Sequence, residues 1–120
     1  MEKPRIAAGL VVAVFLLASS AAFANPTARA CLHDINTHCR GVSGVGPVQN
    51  CINAHFSRLS GQCQALVVEA RPAARACRAD IDRFCGGRGP TRLAMCVNSN
   101  NRRFGASCRA AFSHVAPHFR

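Results

Sequence analysis

Eight cysteines fall into two matching quartets, and this pattern constrains the fold more than any other feature of the chain. Successive cysteines are 8, 12 and 12 residues apart in the first quartet and 8, 11 and 12 apart in the second. A shift of 46 residues superimposes Asp34-Ile35 on Asp80-Ile81, and after a one-residue deletion a shift of 45 superimposes Arg58 on Arg103. The pattern indicates an internal duplication of one small unit. The quartets are Cys31, Cys39, Cys51 and Cys63, and Cys77, Cys85, Cys96 and Cys108.

The N-terminal segment has the three parts of a secretory signal peptide. Lys3 and Arg5 precede an apolar run over residues 6–18, and Ala22-Phe23-Ala24 forms a small-x-small cleavage site. The run is shorter than the ~20 residues of a membrane-spanning helix, which argues against the alternative of a retained anchor. We therefore expect a cleaved signal peptide over residues 1–24 and a periplasmic or secreted product in which cysteines can be oxidised.

The predicted mature chain, residues 25–120, is small and strongly basic. It contains 13 arginines against 4 acidic residues, and it lacks Lys, Trp and Tyr. Eight cysteines in an exported chain of this size indicate a disulfide framework. The positive charge favours polyanionic partners, but export and the scarcity of aromatic stacking surface argue against nucleic acid.

The arginines point to an anionic component of the cell envelope as the partner, such as lipid headgroups, acidic polysaccharide or lipopolysaccharide phosphates. An unidentified protein is the other expected class of partner, and peripheral contact with a membrane would follow from the same charge. The alternative is a solvated arginine surface that serves solubility. The candidate anion-binding residues are Arg83, Arg88, Arg92 and Arg102.

Apolar residues recur at helical spacing, and no segment shows the sustained alternation of a β-strand. In the first unit a glycine-rich loop at residues 41–47 separates two helical patterns, and Ser60 can cap a third short helix. The second unit repeats this order from Pro72, which suits a helix start. The sequence therefore predicts an all-α fold of two tandem disulfide-stapled helical hairpins, residues 25–70 and 71–120, each with a third short helix.

Helix geometry restricts how the cysteines pair. In an antiparallel hairpin the cysteine that ends the first helix lies near the one that starts the second, and the remaining two meet at the other end. A bridge between the first two cysteines of a unit is excluded, because eight residues of helix separate their Cα atoms by ~12 Å, beyond the ~7 Å limit. The predicted bridges are Cys31–Cys63, Cys39–Cys51, Cys77–Cys108 and Cys85–Cys96.

Both units contain Cys-x2-Asp-Ile-x3-Cys, then a glycine-rich loop, then Cys-[Ile/Val]-Asn and a fourth cysteine. This pattern resembles the cysteine-rich repeat of the Golgi apparatus protein 1 family, and it covers about Ala28 to Phe112. The resemblance implies a disulfide-stapled helical module used for binding, with no catalytic residues. That family has a long repeat array and a membrane anchor, whereas this chain has two repeats. Its growth-factor and selectin binding are therefore not carried over.

Three histidines and a neighbouring carboxylate are candidate metal ligands. His33, His38, His55 and Asp34 could join in a zinc or copper site, which makes a periplasmic metal-binding or redox-responsive protein the alternative function. The second unit has Ala, Phe and Asn at the positions of the three histidines. We therefore predict no metal and no cofactor. An even number of cysteines leaves no free thiol nucleophile, so we also predict no enzymatic activity.

Asp34 and Arg58 recur in the second unit as Asp80 and Arg103. Because the start of the first helix and the end of the second are neighbours in a hairpin, we expect each Asp to form a structural ion pair with its Arg. The alternative is that the carboxylates contact a ligand. The sequence as a whole predicts an exported, non-catalytic, disulfide-rich binding or structural module of the cell envelope.

Overall fold

Helices make up most of the part of the chain that the computed structural model describes, residues 25–119. The helices are α1 (Pro26–Cys39), α2 (Val45–Ala54), α3 (Gly61–Cys85), α4 (Pro90–Asn100) and α5 (Ala106–Phe119). Two short 3₁₀ turns, Phe56–Arg58 and Asn101–Arg103, lead into α3 and α5. The all-α prediction is confirmed, since no described residue lies in a strand.

Local sequence explains where the helices begin and end. α1 begins after Asn25, whose Oδ1 accepts hydrogen bonds from the backbone N–H groups of Thr27 (2.9 Å) and Ala28 (3.4 Å). The chain leaves α1 and α3 near Gly41 and Gly87, whose φ angles of 84° and 67° lie in the left-handed region that favours glycine. These two glycines are 46 residues apart, so the chain turns at equivalent positions of the two units.

Helix α3 departs from the sequence prediction. It runs for 25 residues, so the predicted third helix of the first unit and the predicted first helix of the second unit are one helix. Pro72 lies inside this helix and not at its start. The helix persists because its buried residues keep helical spacing across the proline, and their burial outweighs the local cost of Pro. These buried residues are Cys63, Leu66, Ala73, Cys77, Ile81 and Cys85.

Four disulfides tie the helices together, and they are the four that helix geometry predicts. They join Cys31 to Cys63, Cys39 to Cys51, Cys77 to Cys108 and Cys85 to Cys96. Their Cα–Cα distances, from 4.6 to 5.9 Å, are ordinary for disulfides. Cys63, Cys77 and Cys85 all belong to α3, so separate bridges connect α3 to α1, α5 and α4.

The apolar core is shared between the two units. The larger cluster of buried side chains surrounds the second-unit cysteines, yet it includes Val45 and Val48 of α2. Ile52, also on α2, packs against this cluster and against the smaller one around Cys31 and Cys63. The two glycine-rich loops are joined as well, since the backbone N–H of Gly44 donates to the carbonyl of Arg88 (2.9 Å). The two units therefore pack against each other as one body.

Asp34 and Asp80 hold equivalent places, but each binds backbone and not an arginine. Asp34 Oδ2 accepts a hydrogen bond from the N–H of Ser60 (2.9 Å), and Asp80 Oδ2 accepts one from the N–H of Gly105 (3.1 Å). The structure does not bring together the predicted pairs Asp34–Arg58 and Asp80–Arg103 in the part of the chain that it describes. Ser60 and Gly105 immediately precede α3 and α5, so each carboxylate puts negative charge beside a helix N-terminus, where the helix dipole favours it.

The framework of four disulfides is of the kind that oxidising compartments maintain, such as the periplasm or the outside of the cell. Between residues 25 and 119 no helix combines the length and the apolarity needed to cross a bilayer. The predicted signal peptide, residues 1–24, lies outside the described residues.

Replacing Pro72 with Ala should stabilise the protein, because Ala restores a backbone N–H to the interior of α3. An interior Pro is ~3 kcal/mol less favourable than Ala, and the added freedom of the unfolded chain offsets ~1 kcal/mol of this. We expect Pro72→Ala to raise the free energy of unfolding by about 1–2 kcal/mol in denaturant titrations with the disulfides intact. Pro26→Ala is the control, because Pro26 lies in the first turn of α1. No gain at Pro72 beyond that at Pro26 would contradict a continuous α3.

Removing the Asp34 carboxylate should weaken the start of α3. We expect Asp34→Ala to lower the free energy of unfolding by about 1 kcal/mol, the usual cost of losing a helix cap. Asp34→Asn keeps an acceptor oxygen and should cost less. Arg58 is exposed, so Arg58→Gln is the control and should change stability by less than about 0.5 kcal/mol. Thermal unfolding of Asp34→Ala, of Arg58→Gln and of the double variant measures the coupling between the two residues. A coupling energy above about 0.5 kcal/mol would show that Asp34 and Arg58 do form an ion pair.

Candidate functional site

Two of the four predicted anion-binding arginines lie together. Arg88 and Arg92 line a depression of about 390 Å³ where the loop after α1 meets the loop after α3. Arg88 also donates from Nη1 to the carbonyl of Phe84, near the end of α3 (3.4 Å). No acidic residue lines this depression, so the two guanidinium groups give it a positive potential.

The other two predicted arginines do not line that depression. The guanidinium of Arg83 lies over the ring of Phe84, 5.5 Å from its centroid, in a cation–π contact. Arg102 is exposed in the 3₁₀ turn that precedes α5. The structure therefore places Arg88 and Arg92 at one site and leaves Arg83 and Arg102 outside it.

A row of three further arginines on α3 was not predicted. Arg71, Arg75 and Arg78 lie at i, i+4 and i+7 of one continuous helix, which places them on one face. We call these three residues the arginine row. Their spacing is visible in the sequence, but the predicted helix start at Pro72 left Arg71 outside the helix that carries the other two arginines.

The arginine row borders an apolar groove between α1, α2 and α3, which we call the central groove. Its volume is about 570 Å³, within the range of small-molecule sites. Arg71 and Arg75 are the charged residues that line it, and Gln49 and Asn53 of α2 add polar groups. The apolar lining includes Cys31, Ile35, Ile52, Leu66, Val67 and Ala74. The groove therefore combines an apolar surface with positive charge and no acidic lining residue.

Another depression adjoins the arginine row at the start of α2. Arg75 and Arg78 both line it. Gly46 leaves room for the Arg78 side chain, since a Cβ on Gly46 would stand 2.7 Å from Arg78 Nη2. Asp82 lines the same depression, and its negative charge makes the local potential less positive than in the central groove.

The candidate metal ligands are only partly brought together. The rings of His38 and His55 stack with their centroids 5.2 Å apart, and His55 Nδ1 is buried without a hydrogen-bond partner. His33 is exposed, and the Asp34 carboxylate is engaged with the backbone before α3. Within residues 25–119 no group of three or more His, Cys, Asp or Glu side chains is placed to hold a metal ion, and no cysteine is free.

Comparison with known proteins does not identify a family for this chain. No protein-family model matches it, and neither the search of curated proteins nor that of solved structures found a match. The resemblance of the two cysteine quartets to the Golgi apparatus protein 1 repeat therefore stays a prediction, and the functional conclusion depends on the geometry of the arginine row and the central groove.

Proposed function

We propose that this protein is an exported, non-catalytic binding module of the cell envelope that engages anionic envelope components through the arginine row. The main support is the placement of Arg71, Arg75 and Arg78 on one face of α3, beside a groove with no acidic lining residue. Residues 25–120 also carry 13 arginines against 4 acidic residues, and this excess charge attracts anions over a longer range.

Arginine suits this role because its planar guanidinium binds carboxylate and phosphate groups in a bidentate manner. Arg71 is half-buried, and its guanidinium lies 5.0 Å from the centroid of the Phe56 ring. That contact restricts the side chain before a ligand arrives and so reduces the entropy lost on binding. Arg75 and Arg78 are exposed and open to a large anion.

The disulfides support both export and binding. An oxidising compartment is where four bridges form and persist, and the predicted signal peptide would deliver the chain to one. Three of the bridges anchor α3 to other helices. The helix that carries the arginine row is therefore held in a fixed position, which favours binding by a preorganised surface.

Neutralising the arginine row should weaken anion binding more than neutralising three other arginines. We expect the protein to bind phosphatidylglycerol vesicles and heparin at low ionic strength, and to release both near 0.5 M salt, where the Debye length falls to roughly 4 Å. The variant with Arg71→Gln, Arg75→Gln and Arg78→Gln should lose about tenfold or more in affinity, measured by vesicle sedimentation and by heparin titration.

The matched control carries Arg58→Gln, Arg102→Gln and Arg109→Gln, which remove the same charge from exposed positions outside the row. We expect this control to lose less than about threefold in affinity. Equal losses in the two variants would mean that net charge alone drives binding. Failure of the unmodified protein to bind either anion at low salt would reject the proposed function.

A further inference from the structure

We propose that the central groove binds the aliphatic chain of a single-chain anionic amphiphile, with the anionic head group held by Arg71 and Arg75. This inference rests on the proposed function, because it assigns a specific ligand class to part of the arginine row. It differs in kind from attraction to a charged surface, since it requires an apolar tail to enter the protein.

The groove leaves apolar side chains incompletely covered. Ile35, Ile52 and Val67 line it and are only partly buried, although each packs against the core cluster around Cys31 and Cys63. Apolar surface left facing water is unfavourable by roughly 25 cal/mol per Å². Binding of an apolar ligand that covers these three side chains would therefore be favourable, because it would remove their exposed surface from water.

The central groove adjoins a second apolar cleft. Ala70 and Ala74 line the central groove and also a second cleft of about 190 Å³ that reaches Val97 and Phe112 in the second unit. Asn98 is the one polar side chain in the lining of that cleft. The alanines leave this space open because a methyl group is too short to fill it. Two adjoining apolar spaces separated only by small side chains suit a flexible aliphatic chain better than a compact ring system.

The charge at the groove selects the head group. Arg71 and Arg75 lie one turn apart on α3, so their guanidinium groups can bind one anion together. In the free protein these two like charges repel each other, and a bound anion would remove that repulsion. Gln49 and Asn53 are one turn apart on α2 and line the same groove, so their amide groups can donate further hydrogen bonds to the head group.

A second copy of this chain fits the groove less well. Both copies would carry the same excess of 13 arginines over 4 acidic residues in residues 25–120, and like net charges oppose association. An acyl chain with an anionic head group complements both the apolar lining and the arginines. The charge of the groove therefore favours this occupant.

The first test measures chain-length dependence by isothermal titration calorimetry. The chain is expressed with residues 1–24, and the exported product is recovered from the periplasm. This product is titrated with hexanoate, octanoate, decanoate and dodecanoate below their micelle concentrations. We expect about fourfold tighter binding for each added methylene, the fold-change that corresponds to ~0.8 kcal/mol per buried CH₂. Affinity that does not change with chain length would overturn the inference, because only the head group would then be recognised.

Substitutions distinguish recognition of the aliphatic tail from recognition of the anionic head group. Ala74→Leu should fill the groove and weaken dodecanoate binding by about tenfold or more, while heparin binding is unchanged. Ala76→Leu is the matched control, because Ala76 is exposed on the same helix and does not line the groove; it should leave both affinities unchanged. The double variant Arg71→Gln and Arg75→Gln should weaken dodecanoate binding but leave dodecanol binding intact. Equal dodecanoate affinity in Ala74→Leu and Ala76→Leu would place the ligand elsewhere.

Mapping on the unmodified protein keeps the inference testable if Ala74→Leu does not fold. Methyl NMR shifts on adding dodecanoate should concentrate at Ile35, Ile52 and Val67, and shifts confined to the depression around Arg88 would contradict the groove. Absence of dodecanoate binding with heparin binding intact would reject this inference and leave the proposed function standing. Loss of both would reject both. Light scattering tests the remaining occupant. If the unmodified protein forms a dimer that Ala74→Leu disrupts, the groove binds a second copy of the chain, and the inference of an amphiphile ligand is wrong.

Discussion

The structure depends on the covalent attachment of four helices to one another through α3. Cys63, Cys77 and Cys85 connect α3 to α1, α5 and α4, and the remaining bridge joins α2 to α1. The side chains with the least exposure are all half-cystines. Disulfide bridges therefore occupy the centre of the core, and the aliphatic side chains pack around them. The bridges also restrict the conformations of the unfolded chain. This restriction raises the free energy of the unfolded state and so stabilises the fold.

This attachment explains how α3 can contribute to both core clusters and also carry the arginine row. One stripe of the helix is buried with its three cysteines, and another presents Arg71, Arg75 and Arg78. Where α3 faces α1 and α2, its small residues Ala70 and Ala74 leave the central groove. Tight packing there would have closed it. Because disulfides hold the helices in place, the groove can remain open without loss of the fold.

Asp34 and Asp80 show how far a sequence pattern can be interpreted. Their recurrence with Arg58 and Arg103 predicted ion pairs, in which each Asp would lie near the end of the second helix of its unit. The carboxylates instead accept from the backbone N–H groups of Ser60 and Gly105. Sequence spacing places each carboxylate at the correct end of its hairpin. It does not show whether the partner of the carboxylate is an arginine side chain or a nearby backbone N–H group that needs an acceptor.

The sequence by itself determined the all-α class and the four disulfides, because helical periodicity predicts the helices and an antiparallel hairpin brings the inner two and the outer two cysteines of each quartet together. Only the tertiary structure decided that α3 continues through Pro72, because burial of residues on both sides of the proline outweighs its local preference. It also decided that Arg71, Arg75 and Arg78 form one row and that an apolar groove lies beside them. These features depend on contacts between helices far apart in the chain, and local spacing does not encode such contacts.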